Sequence, residues 1–324
     1  MKISVVSPIY NEEGCVEELC RQLVEVLSTI SSEFEIILID DGSRDTSWDK
    51  IIRLSNEIPA VKGLRFSRNF GHHYAISAGL DHCDGDWVVV MDSDLQDPPQ
   101  SIPKLLEKAQ EGYEIVLARR QNRQFGWFKN TSAKLFYRVF QYLTDSKYDG
   151  QAGVFRIMSH KVVAAFRQLS EVDRFFPAMI DWVGFRQGHI YVNHGKRYAG
   201  ETKYPVHKQI ALAINAILSF SDKPIVIVVY IGLFLALLSM IFASYIVLRA
   251  IFGNFAVLGY ASIITSIFFV GGVLMATLGS IGLYVGRIFR QVKNRPLYVI
   301  AETASSTELT APIIQATRNT SNRK

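Results

Sequence analysis

The chain reads as an α/β, Rossmann-like domain with a mostly parallel sheet, followed by a C-terminal hairpin of two apolar, membrane-spanning helices. Three observations lead there. Short apolar runs alternate with amphipathic segments over residues 1–120, the pattern of βαβ units. Polar and acidic clusters close several of the apolar runs. Between Lys223 and Arg287 the only Asp, Glu, Lys or Arg is Arg249. The 324 residues are 49% hydrophobic and 20% charged, with a mean hydropathy of +0.14. A soluble chain of this size carries nearer about a quarter charged residues. A wholly soluble protein is excluded, as are a disordered chain, a collagen and a disulfide-stapled mini-protein.

Apolar runs place strands at residues 3–7, 35–40, 61–66, 87–91 and 115–118. The amphipathic stretches between them place helices at 12–30, 46–57, 72–83 and 99–111. Ala75, Ala78 and Gly79 give the third helix a small-residue face for close packing. Sheets of this kind bind ligands beyond the carboxyl ends of their strands. Pro8-Ile9-Tyr10-Asn11-Glu12, Asp40-Asp41-Gly42-Ser43 and Asp92-Ser93-Asp94-Leu95-Gln96-Asp97 lie there.

Residues 125–143 and 206–222 are amphipathic. The first sets Phe128, Leu135, Phe136, Val139, Phe140 and Leu143 at helical spacing, interrupted by Lys129, Lys134 and Arg138. Beside a membrane hairpin such segments read as interfacial helices, with ordinary core helices as the alternative. Residues 224–248 contain 25 positions without a charge and residues 250–286 contain 37, whereas about 20 apolar residues cross a bilayer. A turn near Gly253-Asn254 leaves transmembrane helices at about 224–249 and 258–286 within a 223–290 region. Lys203, Lys208 and Lys223 precede the pair, and Arg287, Arg290, Lys293 and Arg295 follow it. The positive-inside rule then puts domain 1–205 and tail 291–324 in the cytoplasm, on an integral protein of the inner membrane. From Glu302 to Lys324 the tail, rich in Ser, Thr and Asn, reads as disordered. Residues 1–10 run straight into Asn11, Glu12 and Glu13, so no signal peptide is expected.

Cys15, Cys20 and Cys83 show no metal-ligand spacing and no disulfide framework, which fits buried thiols in a reducing compartment. The net charge of +5 and pI of about 9.0 come without a long basic run. Anionic lipid and phosphate ligands account for that balance, and no nucleic-acid partner is expected.

Asp92 and Asp94, two apart just past a strand, can share a hard divalent cation, Mg²⁺ or Mn²⁺, with a ligand diphosphate. Gln96 adds an amide oxygen. A solvated turn is the alternative for an isolated Asp-x-Asp, and the acidic ends of the other strands weigh against it. Of Asp40 and Asp41, one can accept from a nucleobase or ribose while the other caps the turn before Asp45-Thr46. Arg68, after the third strand, is a candidate ligand contact.

Five segments occur in order: Ser7-Pro8-Ile9-Tyr10-Asn11-Glu12, Asp40-Asp41-Gly42-Ser43, Arg68-Asn69-Phe70-Gly71, Asp92-Ser93-Asp94-Leu95-Gln96-Asp97-Pro98-Pro99 and Ala199-Gly200-Glu201-Thr202-Lys203-Tyr204. Over about residues 1–295 the chain thereby resembles the family-2 inverting glycosyltransferases of the GT-A fold. Within them it is similar to the polyprenyl-phosphate glycosyltransferases, and its hairpin is most like the bactoprenol branch. The resemblance implies a GT-A catalytic domain that moves a sugar from a nucleotide sugar to undecaprenyl or another polyprenyl phosphate. In that branch the donor is most often UDP-glucose; GDP-mannose, UDP-N-acetylglucosamine and UDP-aminoarabinose stay open. It also implies a homo-oligomer, a tetramer in that branch.

Residue by residue, the resemblance makes Pro8, Tyr10, Glu12 and Asp41 nucleotide-binding positions, with Arg68 beside them. Asp92, Asp94 and Gln96 match the metal and diphosphate site. Asp149, in Asp149-Gly150-Gln151-Ala152-Gly153-Val154-Phe155-Arg156, matches the segment whose Asp is usually assigned as base, and with Asp94 and Arg156 it forms the catalytic set. Arg119, Lys129, Ser132 and Arg156 match the acceptor-phosphate region. Arg197 and Lys203 match residues that close over the donor phosphates.

Chemistry qualifies the base. A lipid monophosphate has its second pKa at about 6 and is already mostly ionised at neutral pH, so Asp149 is read as positioning groups rather than abstracting a proton. Donor diphosphate and acceptor phosphate together carry about four negative charges. A divalent ion offsets two of them, and Arg119, Arg156, Arg197 and Lys203 can meet the rest, Arg being suited to bidentate phosphate contacts. A processive polysaccharide synthase usually carries Gln-x-x-Arg-Trp, absent here. A nucleotidyltransferase needs a Gly-rich basic loop that the first strand lacks. A non-catalytic membrane scaffold is opposed by intact Asp92, Asp94, Asp149 and Arg156.

Overall fold

The computed structural model describes residues 1–120, 152–193, 195, 223–251 and 259–306. These divide into two compact units: one holds the described residues of 1–195 and 295–306, the other holds 223–251 and 259–294.

The first unit opens with the expected alternation: β1 (Lys2–Ile9), α1 (Val16–Ile30), β2 (Glu33–Asp40), α2 (Ser47–Glu57), β3 (Val61–Phe66), α3 (His72–His82) and β4 (Trp87–Val90). A 3-10 turn at Pro99–Ser101 leads into α4 (Ile102–Gln110) and then β5 (Ile115–Arg120). The main departure is the start of α1. Asn11 adopts φ 53, and the Cys15 N–H donates to the Glu12 carbonyl, so the turn after β1 delays the helix to Val16. Four further elements carry no sequence expectation: β6 (Ala152–Ser159), α5 (His160–Arg167), α6 (Phe176–Val183) and β7 (Gln187–Val192).

The strands of the described residues form one eight-stranded sheet, together with β8 (Ile300–Ala304), in the order β7-β5-β6-β4-β1-β2-β3-β8. β3, β2, β1 and β4 are mutually parallel, with Ile9 opposite Asp40 and Val6 opposite Val90. β1 and β2 are buried over nearly their whole length, the reason they read as continuous apolar runs. Buried Glu35 lies among these apolar residues. It accepts from Ser4 Oγ at 2.6 Å, Lys62 Nζ at 2.7 Å and the Asp84 N–H at 3.0 Å, partners that offset its desolvation. Gly79 lets α3 approach the sheet: a Cβ there would lie 2.2 Å from Val6 Cγ1.

Beyond β4 the sheet is mixed rather than parallel. β6 runs antiparallel to both β4 and β5, while β7 returns parallel to β5. The tail expectation is corrected at its start. Glu302, Thr303 and Ala304, read as disordered, belong to β8, which pairs antiparallel with β3 through Arg65–Glu302 and Leu64–Thr303. A short edge strand keeps polar residues on its open side, so composition does not betray it. Residues 307–324 lie outside the described residues. All three cysteines are free and buried; burial pushes the Cys20 thiol up to about 12 and Cys83 up to about 11, leaving both unreactive near neutrality.

The second unit consists of α7 (Lys223–Ile251) and α8 (Tyr260–Val292), which touch one another. α8 runs past the expected end at Gly286 to include Arg287 and Arg290, both good helix formers. Within it Phe269–Val292, 24 residues of mean hydropathy 1.7, is long and apolar enough to cross a membrane, the one such span among the described residues. In α7 the shorter apolar segment is Lys223–Leu235. The expected interfacial helices at 125–143 and 206–222 lie outside the described residues.

Candidate active site

The chain builds outward from β1 to β2 and β3, then returns to place β4 on the other side of β1. The carboxyl ends of β1 and β4 therefore flank the topological switch point, where open α/β sheets bind ligands. All four strand-end turns contain a residue with positive φ: Asn11 (φ 53), Gly42 (φ 71), Gly71 (φ 118) and Leu95 (φ 58). Asn and Gly adopt this conformation readily, whereas Leu95 accepts a cost of about 1 kcal/mol between Asp94 and Gln96.

The ends of β1 and β2 are joined side chain to backbone. The Asn11 N–H donates to Ser43 Oγ at 2.9 Å, the Arg44 N–H to Asn11 Oδ1 at 2.8 Å, and the Glu12 N–H to Ser47 Oγ at 3.1 Å. Pro8 is buried within β1, Glu12 is half-buried, and Tyr10 presents an exposed ring at the strand end.

The adjacent acids Asp40 and Asp41 separate their tasks. Asp40 is fully buried and its Oδ1 accepts the Ser43 N–H at 3.0 Å, which closes the turn; Oδ2 lies 3.4 Å from Arg65 Nε. Burial pushes its carboxyl upward. Asp41 reaches the next loop, accepting the Phe70 N–H at 2.7 Å and the Gly71 N–H at 2.9 Å. Burial pushes Asp41 up to about 6, against the pull of those two N–H groups. Gly42 makes this contact possible: a Cβ there would lie 2.6 Å from the Arg68 carbonyl carbon. Arg68 itself is exposed and stacks its guanidinium 4.1 Å from the Phe70 ring centroid.

At the end of β4, Asp92 is half-buried and its Oδ1 lies 3.3 Å from His72 Nε2, in the first turn of α3. Asp94 is buried and its Oδ1 accepts the Gln96 N–H at 3.1 Å. The Gln96 carbonyl accepts the Gly195 N–H at 2.8 Å, which fastens this turn to Gly195. Among the described residues no three His, Cys, Asp or Glu side chains form a closed metal cage. Two carboxylates nevertheless suit Mg²⁺ or Mn²⁺, since such hard ions commonly take one or two protein carboxylates and complete their shell with water and phosphate oxygens.

Arg156 on β6 is 1% exposed, with Nη2 donating to the Gly153 carbonyl at 2.9 Å and its guanidinium 4.8 Å from the Phe176 ring centroid. Its charge reaches His73, whose imidazole is pushed down to about 3 by burial first and by His72 and Arg156 next. Asp92 thus meets His72, whose ring meets that of His73 edge to face at 5.4 Å between centroids. Arg119 on β5 is half-buried, with its Cα opposite Tyr191 of β7. Asp149, Lys129, Ser132, Arg197 and Lys203 lie outside the described residues. Sequence reasoning passed over His72, His73 and Arg65; the pair of histidines directly after Arg68-Asn69-Phe70-Gly71 was the available signal.

The profile of the family described as "Glycosyl transferase family 2" matches residues 4–166. A glycosyltransferase of Synechocystis sp. is 41% identical over 303 residues, covering 93% of this chain and 95% of its own. The SfII prophage-derived bactoprenol glucosyl transferase of Shigella flexneri is 39% identical over 305 residues, covering 94% of this chain and 98% of its own. Among solved structures, mannosyl-3-phosphoglycerate synthase from Rubrobacter xylanophilus shares the fold with a TM-score of 0.51 at 14% identity, over 68% of this chain and 72% of that one.

Proposed function

Since this chain belongs to glycosyltransferase family 2, we propose that it transfers glucose from UDP-glucose to undecaprenyl or another polyprenyl phosphate, with inversion, at the cytoplasmic face of a membrane. The observation that carries the reading is the position of Asp92 and Asp94 at the end of β4, on the topological switch point beside Tyr10 and Glu12. The near full-length similarity to a bactoprenol glucosyl transferase supports the choice of sugar and acceptor.

In this reading the ends of β1 and β2 bind the nucleotide. Tyr10 offers an exposed ring and Asp41 holds the 70–71 backbone in place. Asp92 and Asp94, with Gln96, would hold a Mg²⁺ or Mn²⁺ ion, which when bound neutralises charge on the donor diphosphate. His72 steadies Asp92 from α3. Arg197 and Lys203 meet the donor phosphates. Arg119, Lys129, Ser132 and Arg156 receive the acceptor phosphate. Its attacking oxygen is ionised near neutral pH, so no side chain needs to remove a proton there, and Asp149 orients groups around it. Helices α7 and α8 form the membrane hairpin, residues 125–143 and 206–222 lie in the interface, both termini face the cytoplasm, and the enzyme assembles as a tetramer.

Transfer of label from UDP-glucose into an organic-extractable lipid tests the reading. Label is expected in the lipid phase only with undecaprenyl phosphate and Mg²⁺ or Mn²⁺ together. Label that remains aqueous under those conditions, with every one of the four donors, overturns it. Lipid labelled from GDP-mannose, UDP-N-acetylglucosamine or UDP-aminoarabinose instead keeps the reaction and replaces the donor.

A further inference from the structure

The segment that follows the second apolar helix in the chain packs behind the nucleotide end of the site through two side chains. Tyr298 is 1% exposed, its hydroxyl donating to Asp81 Oδ2 at 2.8 Å and its ring stacked on Phe66 at 5.1 Å between centroids. Phe66 in turn meets Phe70 edge to face at 5.5 Å. Phe70 is the residue whose N–H donates to Asp41 at 2.7 Å. Four residues later, Glu302 accepts from Trp48 Nε1 at 3.0 Å and from Arg65 Nη1 at 2.9 Å, and Arg65 Nε faces buried Asp40 at 3.4 Å. The Ser67 N–H closes the arrangement by donating to the Val299 carbonyl at 3.0 Å.

Both acids at the end of β2 are thus backed by residues from the far end of the chain. This matters because Ser67, Arg68 and Asn69 are all exposed. A surface loop with three exposed residues in a row has little of its own packing to fix it, and ordering it on ligand binding would cost conformational entropy. Phe66 stacks on the buried Tyr298 and Phe70 packs edge to face against Phe66, which removes that freedom in advance, the support that a preorganised binding loop requires.

We propose that Tyr298 and Glu302 are positioning residues for the donor nucleotide, holding the 66–71 loop and Asp40-Asp41 in the geometry that binds it. The inference rests on the donor site assigned above and adds the residues that shape it from behind. Tyr298 carries the larger share, because it is enclosed, whereas Glu302 and Arg65 are partly exposed and their ion pair is screened.

The test uses the full-length enzyme in nanodiscs. Three quantities are read: UDP binding with Mn²⁺ by calorimetry, KM for donor and for acceptor separately, and Tm. Tyr298→Ala is expected to weaken UDP binding and raise the donor KM about ten-fold, with acceptor KM and kcat within about two-fold of wild type. Tyr298→Leu keeps most of the apolar bulk but loses the stack along with the Asp81 hydrogen bond, and should show the same split at a Tm close to that of Tyr298→Phe, which loses the hydrogen bond alone. Tyr298→Phe, which keeps the ring, should restore donor binding to within about two-fold. Glu302→Ala should raise the donor KM about three-fold, and Glu302→Gln, still an acceptor for Trp48, should recover part of it. Donor KM unchanged in both Tyr298→Ala and Tyr298→Leu overturns the proposal. So does a loss spread equally over both KM values and kcat with a fallen Tm, the mark of a role in stability alone. Calorimetry needs no acceptor, so a wild type that binds UDP but labels no lipid sinks the lipid reading while the variants still judge this one. A wild type that binds neither UDP nor GDP overturns both.

Discussion

His72 Nε2 lies 3.3 Å from Asp92 Oδ1 and joins the first turn of α3 to the end of β4. A carboxylate steadied by a neighbouring side chain is fixed in direction, and loss of such an outer partner typically costs about 10–100-fold in metal affinity or activity. His72→Ala is therefore expected to raise the Mg²⁺ or Mn²⁺ concentration for half-maximal rate about ten-fold, with Tm little changed. A metal titration that superimposes on wild type would show that Asp92 is held by other groups.

Asp41 is expected to make the enzyme pH-dependent in two opposite senses. Its carboxyl is pushed up to about 6 by burial. The folded protein therefore holds this proton more tightly than the unfolded chain, whose Asp titrates at about 3.9. The associated stability is complete below about pH 4 and is lost as pH rises through about 6. Asp41→Asn, which does not ionise, should gain in Tm on wild type across that window. Donor binding runs the other way, because the ionised form is the better acceptor for the Phe70 and Gly71 N–H groups. At about pH 5 only about a tenth of Asp41 is ionised, so the wild-type donor KM should climb on acidification while that of Asp41→Asn stays level. A wild-type donor KM that is flat from about pH 5 to 7 contradicts this.

Gly79→Ala probes the seat of α3 on the sheet. The added methyl would lie 2.2 Å from Val6 Cγ1 and 2.7 Å from Ile39 Cδ1, both in the packed core. Overpacking of this kind typically costs about 1–3 kcal/mol, read as a lower Tm or denaturant midpoint, with kcat of the folded fraction preserved. A Tm equal to wild type would mean that α3 moves without cost.

Asp149→Asn should lower turnover by the same factor throughout about pH 6 to 8.5, because the acceptor phosphate loses its second proton at about 6 and needs no base above it. A loss confined to the acid end, with full recovery above the acceptor pKa, would restore Asp149 to the part of general base.

The legibility of the fold follows burial. β1, β2 and β4 are covered on both faces, so Ile3-Ser4-Val5-Val6 and Trp87-Val88-Val89-Val90 stand out as apolar runs. β7 escapes because its six residues, Gln187–Val192, alternate exposed and buried positions around Gly188 and His189. β6 escapes because Arg156 interrupts it, a charge that becomes tolerable once the Gly153 carbonyl and the Phe176 ring receive it. Within the site, the acidic ends of β2 and β4 are visible as clusters. Which of two adjacent aspartates closes its own turn and which reaches Phe70 is not, because that depends on the backbone path of the Gly42 turn.

Local periodicity and composition are enough to mark the first five strands, the helices among them, the two uncharged spans and the acidic turn at Asp92 and Asp94, because each depends on residues within a turn or two of one another. The partners of those elements come from folding. Trp48 and Glu302 meet across 254 positions, and Tyr298 and Asp81 across 217. No neighbouring residue announces either contact; strand register and burial select them after the core has formed. Through them a short stretch near the end of the chain packs against the end of β2 that its beginning had outlined.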